Sequence, residues 1–312
     1  QFYLAQALAI RAFDYFTLVQ LYQFNYKGHE DAPGVPIITP ENAEEAAANG
    51  CARSTVKETY EFILGDLNKA IELLANTKKT RSDKRYVSLD VAYGIRARVH
   101  LTMHNYADAL KDAEAALAST SSVPYSSAAV SKPTFIDIED ASWMWGILIT
   151  DKDRVSTTGI CNFPSHMGSL NYGYASVGGW RRISPKLYNQ IPESDVRKGW
   201  FLDDTGVSVN LPAAAQAYIT KKGAPVYTQV KYGPMNDEWG SNNNATDVIL
   251  MRVEEMYLIK AEAQAMNNDV SGGVNTLNSF VNTYRDPSYK CTATTGEAVQ
   301  EAVWHQRRIE FW

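Results

Sequence analysis

Residues 250–263 read Leu250-Met251-Arg252-Val253-Glu254-Glu255-Met256-Tyr257-Leu258-Ile259-Lys260-Ala261-Glu262-Ala263, and the last ten read Val303-Trp304-His305-Gln306-Arg307-Arg308-Ile309-Glu310-Phe311-Trp312. In the first stretch Met256, Ile259, Ala263 and Met266 recur at three- and four-residue spacing, the period of a helix with one apolar face. Val274, Leu277, Val281 and Tyr284 repeat that spacing after a short connection. The pattern predicts helices over 248–267 and 272–284, folded back on each other as a hairpin. Each helix of such a pair buries one face and leaves another for its neighbour, which is how tetratricopeptide-like repeats stack. A plain α-helical hairpin fits the same residues, because the period is not strict.

Working towards the N-terminus, the same spacing predicts helices over 3–22, 54–75, 87–103 and 106–118. In the first, Leu4, Leu8, Arg11, Tyr15, Leu18 and Tyr22 form the stripe, flanked by Ala5, Ala12 and Val19. Pro33, Gly34, Pro36 and Pro40 then break the chain into a loop. Thr55 stands three residues before Glu58, a capping-box spacing, and Val56, Tyr60, Ile63, Leu67, Ala70 and Leu74 follow as a clean stripe. Gly65 interrupts that helix, and a close helical neighbour is the expected reason. Ala92, Ile95 and Val99 mark the third helix. Tyr106, Ala109, Leu110, Ala113 and Leu117 mark the fourth, with small residues suited to close approach.

Between residues 120 and 247 helical periodicity fades, and Gly, Pro, Ser, Asn and aromatic residues rise. Short strands are expected over 143–149 and 226–232. The chain therefore divides into a helical scaffold, 1–119 with 248–312, and a loop-rich lobe, 120–247. The expected fold class is mainly α. Long loops on a rigid scaffold are where binding usually resides.

The order of motifs resembles the SusD/RagB family. Arg252-x-x-Glu255, then Ala261-Glu262-Ala263, then Thr283-Tyr284-Arg285-Asp286-Pro287-Ser288-Tyr289, then Arg307-Arg308-Ile309-Glu310-Phe311 follow that family's C-terminal half. Arg11-Ala12-Phe13-Asp14-Tyr15-Phe16-Thr17-Leu18-Val19, Val35-Pro36, Tyr60 with Asp66-Leu67 and Ala70, and Arg96-Ala97-Arg98-Val99-His100-Leu101 follow its N-terminal half. The least generic part is the middle, from Ser165 to Trp180. The resemblance implies a surface lipoprotein of Bacteroidetes that holds an oligosaccharide and delivers it to a SusC-type TonB-dependent outer-membrane β-barrel. It places the protein on the extracellular face of the outer membrane, lipid-anchored through a cysteine absent from this sequence, and implies that chain is missing at both ends. Contact with the transporter is expected on helical surface and neighbouring loops, leaving the aromatic lobe to line the enclosed space. A peptide-binding family member, a tetratricopeptide-like protein-interaction scaffold and a two-carboxylate glycosidase are the alternatives.

Composition narrows the classes. The chain has 312 residues, 45% hydrophobic and 21% charged, with a net charge of −5. That is an ordinary globular composition without the basic footprint of a nucleic-acid binder. Cys51, Cys161 and Cys291 are odd in number and far apart, which fits neither a disulfide framework nor a paired-cysteine metal site. His100 and His104 are four apart, but Leu101 stands where the hydrolytic zinc motif needs glutamate. No metal and no cofactor is expected, with structural calcium at Asp151 and Asp153, or at Asp203 and Asp204, as a weak exception. Nucleophile elbows and phosphate loops are absent from the sequence, so no catalytic residue is assigned and no enzyme is expected.

The aromatic residues of the lobe carry the binding reading: Trp143, Trp145, Phe163, His166, Tyr172, Tyr174, Trp180, Tyr188, Trp200, Tyr232 and Trp239. Indole and phenol rings match the C–H face of a sugar, and Asn, Asp and Arg answer its hydroxyls. Asn162, Asn171, Arg181, Arg182, Asp237, Asn242 and Asn243 are nearby in sequence. The candidate platform is Trp143, Trp145, His166, Tyr172, Tyr174, Trp180 and Trp239. Most aromatics of such a lobe serve as its core, and roughly two to four are expected to touch ligand. The charges Arg252, Glu255, Glu262, Arg285, Arg307, Arg308 and Glu310 read as structural pairs that set register, with Glu262 answering an arginine of a neighbouring helix.

Overall fold

The computed structural model describes residues 1–157 and 162–312, so Cys161 lies outside the described residues. Helices α1 (Phe2–Tyr22), α2 (Ala43–Asn49), α3 (Val56–Asn76), α4 (Leu89–Thr102) and α5 (Tyr106–Ser119) come first. The short helices α6 (Ser127–Val130), α7 (Phe163–Met167), α8 (Pro185–Tyr188) and α9 (Ala213–Lys221) are scattered among irregular segments. Helices α10 (Val253–Met266), α11 (Val270–Tyr284) and α12 (Gly296–Glu310) end the chain. Helix α1 packs on α3, α3 on α4, α4 on α5, α5 on α10, and α10 on both α11 and α12. The fold is mainly α, and one helical array joins the two ends of the sequence through the α5–α10 contact.

Helix α3 shows how the residues make the array. Thr55 Oγ1 accepts from Glu58 N at 3.1 Å, and the Glu58 carboxylate accepts from Thr55 N at 2.7 Å. Two free N–H groups at the helix start are thereby satisfied. Val56, Ile63, Leu67 and Ala70 are fully buried against α1 and α4. Gly65 is solvent-exposed, and a Cβ there would meet nothing, so the expected close neighbour is not its explanation. Close approaches fall at other glycines. A Cβ on Gly94 of α4 would lie 2.9 Å from Met251 Cε, and one on Gly273 of α11 would lie 2.7 Å from the Ala261 carbonyl. Gly65→Ala should stabilise the protein by about 1 kcal/mol and Thr55→Ala should destabilise it by about 1 kcal/mol, both read from urea midpoints.

Helix α1 corrects the sequence reading of its stripe. Its buried face is Ala5, Ala9, Ala12, Phe16 and Val19, while Leu4, Leu18 and Tyr22 are exposed. The alanines let α1 lie close to α3, which turns the larger residues outward. Arg11 stays useful, donating to both oxygens of Asp66 at 2.7 and 2.8 Å.

Two strands close the array. β1 (Trp143–Ile147) pairs antiparallel with β2 (Val248–Arg252), with a bulge where Trp143 faces Arg252 and Trp145 faces Met251. The helix expected over 248–267 therefore starts at Val253, because its first five residues pair with β1 instead. The strand expected over 226–232 does not form. Thr228, Gln229 and Tyr232 make single bridges to Arg182, Phe201 and Thr134, and Tyr227 at φ 67° breaks the extended run.

A buried ionic knot ties α10, α12, β2 and the irregular segments together. Arg285 donates to Glu310 at 2.8 and 2.9 Å, to Glu254 at 3.1 Å and to the Tyr125 carbonyl at 2.8 Å. Arg252 and Arg197 reach the same Glu310 carboxylate at 2.9 and 3.3 Å, and Asp195 holds Arg197 at 2.6 Å. Glu255 pairs with Arg98 at 2.6 Å. Glu262 differs from expectation: its Oε1 accepts from Gln300 and from the Trp304 indole, each at 2.9 Å, and no arginine reaches it among the described residues.

Candidate functional site

The irregular segment after residue 162 is built by local caps. Asn162 accepts from Ser165 N at 2.8 Å and starts α7, which carries His166. Ser165 Oγ accepts from Tyr174 N at 3.2 Å, and a Cβ on Gly173 would lie 2.7 Å from Ser165 Cα, so only glycine lets the chain turn back so closely. That turn lays the Tyr174 ring on the His166 ring, with centroids 5.1 Å apart and planes inclined by 26°. Arg181 Nε donates to the His166 carbonyl at 2.9 Å and fixes the far side of the same turn.

Backbone pairing brings in a distant loop. Gly240 N donates to the Leu170 carbonyl at 2.8 Å, and Tyr172 N donates to the Ser241 carbonyl at 2.9 Å. Residues 239–243 are thereby held beside 170–172. Tyr218 of α9 lies against Gly240 and donates its hydroxyl to the Asn171 carbonyl at 3.3 Å. Trp180 and Trp239 pack half-buried on a small core of Leu170, Leu202, Ile219 and Val230. Tyr172 and Tyr174 stand clear of that core, 50% and 45% exposed. Lys222 Nζ lies 5.7 Å from the ring centroids of both Tyr172 and Tyr218.

The structure thus packs Trp180 and Trp239 on one small core, sets Tyr172 beside the Trp239 loop through the Ser241 pairing, and joins His166 and Tyr174 to them through the Gly173 turn. Trp143 and Trp145 do not belong there. Trp143 is fully buried and donates to the Tyr125 hydroxyl at 2.7 Å. Trp145 packs edge-on against Phe13 of α1 and donates to the Arg85 carbonyl at 3.1 Å. Neither presents a ring face, because the β1 bulge turns both indoles into the core; they leave the candidate set. Trp200 is likewise buried, under Phe135.

Sequence reasoning missed Tyr218 and Lys222. They stand four residues apart at the end of α9, and that i, i+4 spacing was the available signal. It also missed Tyr22 and Phe24, exposed at the end of α1, where His29 stacks on Phe24 at 5.2 Å. A deeper concavity of the described residues lies elsewhere. It is a cleft of about 510 Å³ lined by Tyr188, Lys198, Asp203, Asp204, Asn210 and Tyr227. Its lysine is already paired with Glu193 at 2.5 Å.

The metal candidates find other work. His104 lies past the end of α4 at φ 61°, off the helix face that carries His100. Burial pushes the His100 pKa down, although Asp112 stands 3.8 Å away. Asp153 accepts from Thr150 N at 2.7 Å, and Asp203 Oδ1 accepts from Thr205 N, Thr205 Oγ1 and Val207 N at 2.7–2.9 Å. Among the described residues no three His, Cys, Asp or Glu side chains converge as a metal site. The chemistry on offer at the Tyr172–Tyr174 surface is ring faces, amides and cations, suited to holding a polyol.

Comparison with known proteins agrees with the fold. A family model described as starch-binding and associating with the outer membrane matches residues 3–101, and the SusD family model matches residues 186–312. SusD-like protein P2 of Formosa agariphila is 25% identical, with 90% of this chain and 55% of that protein aligned. A SusD-like carbohydrate binding protein of Bacteroides vulgatus superposes with a TM-score of 0.78 and 27% identity, covering 99% of this chain and 60% of that one. A SusD superfamily protein of Bacteroides thetaiotaomicron has the same fold at a TM-score of 0.73, covering 98% of this chain and 64% of its own. The chain thus spans somewhat over half the length of these relatives.

Proposed function

We propose that this chain, which belongs to the SusD/RagB family, binds an oligosaccharide on the Tyr172–Tyr174 surface and hands it on uncleaved. The observation that carries this reading is the pair of half-exposed tyrosine rings, the first held by backbone pairing with Ser241 and flanked by Lys222. A stacked sugar covers one face of a ring, and the gain is a few kcal/mol at most before ordering costs. The recipient would be a SusC-type TonB-dependent β-barrel, and the protein would sit lipid-anchored on the outer face of the outer membrane. The family resemblance and the family description of outer-membrane association support both statements.

The test is a glycan array followed by calorimetric titration of the best ligand, with a peptide library as the second arm. Tyr172→Ala or Tyr174→Ala should weaken glycan binding by about 2 kcal/mol, about 30-fold, with the melting temperature unchanged. Trp143→Ala should lower the melting temperature and leave the affinity of folded molecules as it was. Binding confined to peptides would overturn the glycan reading. Loss confined to Phe24→Ala would move the site to the end of α1. Release of reducing sugar would make the protein a glycosidase.

A further inference from the structure

We infer that the glycan is anionic, bearing uronic-acid carboxylates or sulfate esters, and that Lys222 is the residue that selects it. This rests on the glycan reading of the Tyr172–Tyr174 surface and adds the ligand's charge to it.

The whole chain carries a net charge of −5. The three segments that converge at the surface differ from it. Arg181, Arg182, Lys221 and Lys222 stand against only Asp237 and Glu238. None of those four cations has a carboxylate within 4.0 Å among the described residues. Elsewhere the arginines at 11, 96, 98, 197, 252 and 285 each meet one, whereas Arg53, Arg81 and most lysines do not among the described residues, so the missing partner alone does not single these four out. A surface lysine without a partner is ordinarily just solvated, its stem lying on apolar surface. Lys222 is more constrained than that. Its ammonium lies 5.7 Å from two ring centroids, those of the exposed Tyr172 and of Tyr218, whose own hydroxyl is tied to the Asn171 carbonyl.

Ring faces attract an ammonium but do not neutralise it or use up its N–H donors. A sugar stacked on Tyr172 would therefore bring its ring substituents beside an uncompensated cation. A carboxylate or sulfate at the sugar's edge makes a charge-assisted hydrogen bond there, roughly twice as strong as one from a neutral hydroxyl. Arg181 supplies a second cation at the other end of the tyrosine pair. Its Nε is committed to the His166 carbonyl. Asp237 and Glu238 oppose an anion and set the limit of the preference.

The experiment titrates the full chain with three hexasaccharides: a neutral galactan, an oligogalacturonate and a sulfated galactan. Wild type, Lys222→Met and Lys222→Arg are compared at low and high salt. At least one acidic hexamer should bind about 10-fold tighter than the neutral one, and Lys222→Met should remove about 10-fold of that affinity while leaving the neutral hexamer within about 2-fold. Lys222→Arg should keep the preference, and salt should weaken the acidic ligands alone. Preference for oligogalacturonate identifies a carboxylate, and preference for the sulfated galactan a sulfate ester. A neutral hexamer that binds as well as both acidic ones overturns the anionic assignment and leaves the glycan reading standing, as does a Lys222→Met effect equal on all ligands. Binding of none of the three overturns the anionic assignment and counts against the glycan reading, which the wider array then decides.

Discussion

Glu310→Ala is expected to cost about 3–5 kcal/mol of folding stability, the usual penalty for leaving a buried charge without its partner. Total stabilities of ordinary domains are about 5–15 kcal/mol, so this one change removes a large share. Glu310 is fully buried and takes hydrogen bonds from Arg197, Arg252 and Arg285. Without it, the carboxylates left within 4.0 Å of those three guanidinium groups, among the described residues, are Glu254 and Asp195. Glu310→Gln keeps the shape but not the charge and should also destabilise strongly. The Lys69–Glu72 pair, fully on the surface at 2.9 Å, is the control; Glu72→Ala should change stability by less than about 1 kcal/mol.

The charge state of Glu310 adds an acid-side check. Its pKa lies well below the ordinary carboxylate value, because Arg285 and Arg252 outweigh the cost of burial. A depressed carboxylate contributes stability above its unfolded pKa and loses it progressively as pH falls from that value to the folded one. The gap between wild type and Glu310→Gln should therefore persist at pH 5 and close only at strongly acid pH. Urea midpoints across that range measure it. A Glu310→Ala loss under about 1 kcal/mol would sink the knot as a central tie.

The helices were legible because their signals are local. The α3 stripe, its Thr55–Glu58 cap and the alanines of α5 lie within one or two turns of each other. Helix α10 was misjudged at its start for a related reason. Val248, Ile249 and Leu250 continue the apolar run, and nothing near them in sequence announces that β1, a hundred residues earlier, claims them as a strand. The α1 stripe was misread because size and burial parted company there: alanines pack on α3 and leucines face outward. At the site, Tyr172 and Tyr174 were legible as aromatics in a stretch where helical periodicity fades. What sequence could not show was the pairing of 170–172 with 240–241, which decides that Trp239 joins them and that Tyr218 and Lys222 come alongside. Trp143 and Trp145 looked equivalent to the others by composition. A bulge in β1 turns them into the core, where Trp143 donates to the Tyr125 hydroxyl and Trp145 to the Arg85 carbonyl.

Lys231→Met is expected to flatten the stability–pH profile above neutrality and to stabilise the protein near pH 7. Lys231 is buried, with Nζ 5.2 Å from the ring centroids of Trp200 and Tyr232 and 5.6 Å from that of Phe135. Its ammonium donates to the Trp312 carbonyl. Burial pushes its pKa down to about 7, the nearby charge of Arg252 adds to the shift, and Glu310 opposes it. An unfolded lysine titrates near 10.4, so between the two values the unfolded chain holds a proton that the folded chain has released. Stability must then rise with pH in that window, with a slope of at most about 1.4 kcal/mol per unit. The penalty is fully present below pH 7 and gone above the unfolded pKa. Between pH 7 and 9 the wild type should gain about 2 kcal/mol on the methionine variant, which keeps the stem length and has nothing to titrate. Urea unfolding of both proteins at pH 7, 8 and 9 measures the difference directly. Parallel curves would mean that the carbonyl and the three rings hold the ammonium charged throughout, and that burial of this lysine carries no pH-dependent cost.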